Sequence, residues 1–236
     1  MTIVERNSLN RKEKQVVSKK RVTDHGEVYT GEREVNAMLG LVKQETERID
    51  SRFLEPACGT GNFLTEVLER KLCVVETRYR KSQTEYERYV VLAVSSIYGI
   101  DILADNVKEC RKRLFEIIDH QYTILFQKTA KDGFRNAVKY ILERNIIQGD
   151  ALTLRTVGEN LQPIVFSEWS FPFNNSQIKR RDYTFSELLQ TNPPDRRDMF
   201  SEPELVSDLG KTVFIPTPVK EYPPIHFLRV ADAEQL

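Results

Sequence analysis

Between Phe53 and Phe63 the chain reads Phe-Leu-Glu-Pro-Ala-Cys-Gly-Thr-Gly-Asn-Phe, and residues of these types at this spacing can cradle a nucleotide-like ligand. Glycines at 59 and 61 admit a positive φ and let the backbone approach a ligand closely. The amides of a helix beginning just beyond them are unpaired donors at a positive dipole end. Glu55 selects the ligand. A phosphate loop carries Gly-Lys-Ser/Thr here, and a pyrophosphate-binding turn has a third glycine at position 64, where this chain has Leu64. A carboxylate at 55 repels phosphate and suits a cationic or amine-bearing group. S-adenosylmethionine, with a sulfonium and an α-ammonium, meets that demand. It needs no metal, because the sulfonium is already an activated leaving group.

Two further acids stand where strands should end. Ile97-Tyr98-Gly99-Ile100-Asp101-Ile102 is an apolar strand closing on a carboxylate that can accept from both ribose hydroxyls of an adenosine, with Ile102 packing on the adenine face. Asn145-Ile146-Ile147-Gln148-Gly149-Asp150-Ala151-Leu152 is a third strand, and Asp150 can accept from the exocyclic amine of adenine. Asp101 follows Gly61 by 40 residues, against ~20 in dinucleotide folds, so a helical insert over about 74–95 must leave the sheet and return. The apolar spacing predicts helices over 62–72, 74–97 and 103–143, the last broken near Lys131-Asp132-Gly133. Upstream, Thr30 is a candidate N-cap for an amphipathic helix running through Leu39.

The string Glu-Pro-Ala-Cys-Gly-Thr-Gly-Asn-Phe resembles the first motif of S-adenosylmethionine-dependent DNA adenine (N6) methyltransferases, above all those of restriction-modification systems. Tyr-Gly-Ile-Asp looks like the second motif of that family and Gly-Asp-Ala-Leu like the third. Gly26-Glu27-Val28-Tyr29-Thr30-Gly31 is similar to its aromatic-Thr-Pro turn, with Gly31 in place of proline. The resemblance implies an α/β, Rossmann-like class I methyltransferase fold: a doubly wound, seven-stranded, mostly parallel sheet with helices on both faces. It implies S-adenosyl-L-methionine as cofactor, held by Tyr29, Thr30, Glu55, Ala57, Gly59, Gly61, Phe63, Asp101, Ile102, Asp150 and Ala151. The implied activity is methylation of the N6 amine of adenine in DNA within a restriction or phage-defence system.

Such an enzyme needs a fourth element, (Asn/Asp/Ser)-Pro-Pro-aromatic, directly after the next strand, to accept from the target amine and stack on the flipped base. Pro163-Ile164-Val165-Phe166 should be that strand, but it runs into Ser167-Glu168-Trp169-Ser170-Phe171-Pro172. Glu168 for amine acceptance and Trp169 for stacking are the nearest catalytic substitutes. A literal Asn192-Pro193-Pro194 continues into Asp195, follows what reads as a capped helical turn over 183–190, and is expected to be a loop. The chain resembles a lineage of restriction-associated proteins that keep the cofactor half, Phe-Ser-Glu-Trp segment included, without the usual fourth motif. Two other readings stay open: a catalytically silent subunit that binds the cofactor and docks a partner, and a methyltransferase acting on RNA or protein.

Composition bounds the rest. A chain of 236 residues can bury one sizeable α/β core. Thirty-five Lys plus Arg balance thirty-five Asp plus Glu, so contact with DNA must come from a local basic surface. No apolar run approaches a membrane span of ~20 residues, the N-terminus lacks an apolar signal core, and three cysteines without metal spacing read as reduced thiols. A cytoplasmic protein without membrane or metal is expected. Three segments are anticipated: a basic arm over 1–22, either a solvated leader or a phosphate-contacting arm; the methyltransferase domain over 23–172; and an irregular Pro-rich tail over 173–236. The tail opens with Lys179-Arg180-Arg181 in a polar loop that is either solvated or a phosphate contact. It is too short to select a DNA sequence, so a separate specificity or restriction subunit is the expected partner.

Overall fold

The computed structural model describes residues 21, 23, 30–173, 175–189 and 215–235. Helix α1 (Glu32–Leu41) and the single turn α2 (Lys43–Thr46) lead into β1 (Phe53–Glu55); α3 (Asn62–Tyr79) and α4 (Gln83–Ser95) then fill the stretch before β2 (Ile97–Asp101). Helices α5 (Ala104–Phe126) and α6 (Asp132–Asn145) precede β3 (Ile146–Gln148). The strands are parallel in the order β1-β2-β3, which places Glu55 beside Gly99 and Asp101 beside Gln148. Helical crossovers are what parallel neighbours require, and they bury a strand on both faces. β2 is accordingly buried from Ile97 to Ile100, and α3, α4, α5 and α6 all pack against it.

The insert between β1 and β2 divides later than its apolar pattern suggests, at residues 80–82 instead of near 73. The cause is a local signal, Ser82-Gln83-Thr84-Glu85: the Ser82 hydroxyl accepts from the Glu85 amide at 3.4 Å, the Ser-x-x-Glu start of a new helix. Entry into β1 is fixed by Lys71 of α3. Its side chain is fully buried, and Nζ donates to Ile49 O at 3.1 Å, Ser51 O at 2.5 Å and Ser96 Oγ at 2.5 Å. One amine thus joins the residues entering β1 to those entering β2.

The next strand departs from expectation. β4 (Val165–Ser170) does not extend the parallel sheet. It pairs antiparallel with β5 (Gln177–Thr184), from Val165 beside Thr184 to Ser170 beside Lys179. After β5 come the short helix α7 (Phe185–Leu189), β6 (Lys220–Glu221), β7 (Ile225–His226) and a 3-10 helix (Phe227–Gln235), with β6 and β7 both pairing with β5. The doubly wound, seven-stranded sheet is therefore met by three parallel strands and a separate antiparallel sheet among the described residues.

The stretch expected as a polar loop is β5, because its inward positions are not all apolar. Ile178, Arg180 and Asp182 alternate inward with the period of two that a half-buried strand demands. Arg180 and Asp182, each 6% exposed, satisfy one another at 2.7 Å. Nor is the described part of the tail irregular. Phe227, Val230 and Ala233 recur every three residues, the period at which a 3-10 helix superposes its side chains. All three are buried, in the same core cluster as Leu64 and Ile97.

Candidate functional site

The carboxyl ends of β1, β2 and β3 form one rim, and residues 55–61 cross it. The Cys58 amide donates to Ile100 O at 2.8 Å and the Gly59 amide to Asp101 Oδ2 at 2.9 Å, so the loop after β1 is bonded to the end of β2. Asp101 Oδ1 accepts from the Leu103 amide at 2.8 Å and from Asn106 Nδ2 at 3.2 Å. The Gly149 amide donates to Asp101 O at 3.0 Å, carrying the connection to the end of β3. Two glycines make this approach possible. Gly61 sits at φ 90°, where a Cβ would lie 2.6 Å from Cys110 Sγ; at Gly99 in β2 a Cβ would lie 2.9 Å from Leu64 Cδ1.

Arg113 of α5 holds the loop from outside, donating to Thr60 O at 2.9 Å and Asn62 Oδ1 at 2.6 Å. Asn62 Nδ2 in turn donates to Thr30 O at 3.2 Å, which brings Thr30 to the start of α3. The cap of α1 is Gly31, without a side-chain bond, and not Thr30. Tyr29 lies outside the described residues. Arg21, from the arm expected to be basic, pairs with Asp105 and donates to Asn106 Oδ1 at 3.0 Å, one residue removed from Asp101's own partner set. The remainder of that arm lies outside the described residues.

The other expected cofactor residues line this rim or lie just behind it. Glu55 is half-buried, its Oε1 accepts from the Ala57 amide at 3.3 Å, and burial raises its pKa above the ordinary carboxylate value. Ala57 is exposed and Phe63 is partly buried against the core. Ile102 is 47% exposed, an apolar side chain open to a ligand at the end of β2. Asp150 Oδ1 accepts from the Leu152 amide at 2.9 Å, a bond that holds its carboxyl below the ordinary range. Ala151 packs on the small cluster around Ile100 and Ile164. Glu55, Gly59, Gly61, Asp101 and Asp150 are thus brought together, and the rim offers carboxylate oxygens held by amides. Such a donor set fits a cationic ligand with hydroxyl and amine groups and does not fit a phosphate.

Asn106, Cys110 and Arg113 are the positioning residues that sequence reasoning missed. They recur at i, i+4 and i+7 along one face of α5, a spacing visible in the sequence, but only their partners on the glycine loop give them meaning.

Glu168 and Trp169 lie elsewhere. Trp169 is 5% exposed and its indole donates to Asn145 Oδ1 at 2.9 Å, so it is a core residue with no face free for a base. The period of two in β4 turns it inward against α6. Glu168 points the other way and is clamped by Arg52 at 2.6 Å and Arg181 at 2.6 Å. It lines an apolar cavity of about 530 Å³ between β1, the β4-β5 hairpin and α7, with Leu54, Tyr98, Phe166 and Phe185 in its walls. Asn192-Pro193-Pro194 lies outside the described residues.

The basic cluster of β5 is internally neutralised. Lys179 pairs with Glu221 at 2.8 Å, and Arg181 with Glu168. Arg180 bonds Asp182, Glu234 at 2.8 Å and the Tyr140 hydroxyl at 2.6 Å while covering the Tyr222 ring at 4.3 Å. Arg180 and Arg144 together hold the Glu234 carboxyl down to about 2. The phosphate-contact alternative for this segment has no free cation to rest on at these three positions. Among the described residues no helix is long and apolar enough to cross a membrane, and no group of three or more His, Cys, Asp or Glu is placed to hold a metal ion.

A glycine loop bonded to the acid at the end of the neighbouring parallel strand defines a nucleoside-binding α/β domain. Residues 30–162 match the model of the MmeI DNA-methyltransferase domain, more than half of the chain. The chain belongs to this family of restriction-modification DNA methyltransferases. Comparison with curated proteins returned no match, and neither did comparison with solved structures. The matched residues stop before β4, so the hairpin and all that follows lie outside the family's domain.

Proposed function

We propose that the chain binds S-adenosylmethionine across the carboxyl ends of β1, β2 and β3, in a Rossmann-like arrangement, for transfer of a methyl group to the N6 amine of adenine in DNA. Bound S-adenosylmethionine supplies a methyl group on an activated sulfur. Glu55 accepts from the α-ammonium, and the amides beyond Gly61 face the carboxylate of the same end. Asp101 has used three of its roughly four acceptor positions on the loop and α5, and what remains serves the ribose. Ile102 covers one face of the adenine and Asp150 takes its amine. The observation that carries this reading is the bond from the Gly59 amide to Asp101 Oδ2, because it makes glycine loop and strand-end acid one unit.

Calorimetric titration with S-adenosylmethionine tests it. Micromolar binding is expected for the native chain, with a loss of about 10–100-fold in affinity, or about 1.4–2.8 kcal/mol, in Asp101→Ala. Equal affinities in the two proteins would sink the assignment.

A second reading has its own observation. With Trp169 in the core and Glu168 held between two guanidiniums, the described residues of this chain furnish no clamp for a target amine. A cofactor-binding subunit that acts only with a partner would look like this. Tritiated-methyl transfer to unmethylated plasmid by the isolated chain would exclude it.

A further inference from the structure

β1 is bonded to β2 along one edge, and among the described residues no strand pairs with the other. Consecutive residues in a strand direct their backbone groups to opposite sides. The Phe53 amide donates to Ser96 O at 2.9 Å on the β2 side, which leaves the amide and carbonyl of Leu54 directed to the open edge. Beside that edge lies the apolar cavity, with Leu188 and Leu189 of α7 at its lip. Leu54 is 42% exposed and Leu189 51%. An unpaired edge next to an apolar hollow is a template for one more strand. The cavity also has a sign. Arg52 and Arg181 flank the single carboxylate of Glu168, leaving one positive charge in excess, and the Arg52 side chain is 61% exposed.

We propose that the outer edge of β1 docks a strand from a partner polypeptide, parallel to β1, apolar toward the cavity and bearing a carboxylate that meets Arg52. The direction follows from the rim. A strand parallel to β1 ends beside Glu55, so the loop that follows it enters the cleft where the target amine must be clamped. The chain's own strand for that purpose is engaged elsewhere: β4 pairs with β5 and packs on α4 and α6. The catalytic part of this inference rests on the methyl transfer proposed above; the docking part rests on the edge, the cavity and the charge alone.

The test uses the full chain and a synthetic peptide in which an alternating valine-threonine strand with one aspartate leads into Asn-Pro-Pro-Tyr. In the free chain the Leu54 amide is expected to exchange its hydrogen at least about tenfold faster than the Phe53 amide, and saturating peptide slows it by about tenfold or more. Arg52→Glu weakens the peptide about tenfold and leaves S-adenosylmethionine affinity unchanged; replacing the peptide's aspartate by lysine has a similar effect. Three results overturn the proposal. The Leu54 amide is already as protected as Phe53 in the monomer, which would make residues 190–214 of the same chain the occupant. Its protection falls on dilution, which would make a second copy the occupant. Or saturating peptide leaves its exchange unchanged. S-adenosylmethionine titrated into the same samples separates the two hypotheses. Cofactor binding without peptide binding removes the docked strand alone, and peptide binding without cofactor binding removes the methyltransferase reading alone.

Discussion

The rim of the parallel sheet and the antiparallel hairpin are both dense in charge and use it in opposite ways. Asp101 and Asp150 are held by amides, and Glu55 by one amide at 3.3 Å, so their negative charge stays available to a ligand. In the hairpin each cation meets an acid: Lys179 with Glu221, Arg180 with Asp182 and Arg181 with Glu168. A polar residue bonded to neutral donors keeps its charge for recognition, whereas an ion pair closes on itself and becomes scaffold. A count of basic residues along the sequence cannot tell these apart.

Four perturbations break or sharpen this contrast. Arg180→Ala strands Asp182, 6% exposed, without its partner and is expected to lower stability by about 3–5 kcal/mol. Denaturant unfolding reads that loss, and the molecules still folded should bind S-adenosylmethionine as before. A matching loss of affinity would mean that hairpin and rim are one cooperative site. Gly61→Ala forces an L side chain to φ 90° against Cys110 Sγ and is expected to cost about 2–3 kcal/mol. Adding Cys110→Ala should restore part of it, and strict additivity in the double-mutant cycle would show that the two do not touch.

Lys71 gives a pH signature. Burial lowers its pKa from 10.5 to about 7, so between pH 7 and 10.5 the unfolded chain binds the proton that the folded one has released. Stability therefore climbs as pH rises through that window, by about 1–2 kcal/mol. Below pH 7 both states carry the proton and the cost of burying the charge is fully present. Urea unfolding at the two ends of the window should show the climb in the native chain and a flat profile in Lys71→Met. The smallest effect is expected of Lys179→Ala, which breaks a partly exposed pair: about 0.5 kcal/mol or less, with the salt dependence of any DNA association unchanged. A shallower salt slope would return Lys179 to the phosphate contacts.

The cofactor half was legible because its signals are local. Two glycines fix a turn, an apolar run ending in an acid fixes a strand and its exit, and β2 spans Ile97–Asp101 where that pattern lies. The hairpin was not, for a reason written in its residues. A strand whose inward positions are Arg180 and Asp182 has the polarity of a loop, and only the pairing of one with the other lets both be buried. Trp169 illustrates the same limit. Its type suits stacking on a base, and alternation within β4 decides instead that it faces Asn145. Lys71 and Arg113 act on residues far along the chain, at Ser96 and Thr60, and nothing nearby in sequence announces either contact. The start of α4 at Ser82, by contrast, was available in the capping pattern Ser-x-x-Glu.

Cys58 and Cys110 lie against the underside of the glycine loop, 5% and 0% exposed, with Cys110 Sγ in the space that a side chain at Gly61 would fill. Neither sulfur can be reached by an alkylating reagent while the loop is seated, and the surroundings push the Cys58 thiol up, away from the reactive thiolate. The rate at which iodoacetamide modifies them is therefore a clock for the lifting of the loop, readable by mass spectrometry without any assay of turnover, and a ligand that seats the loop stops it.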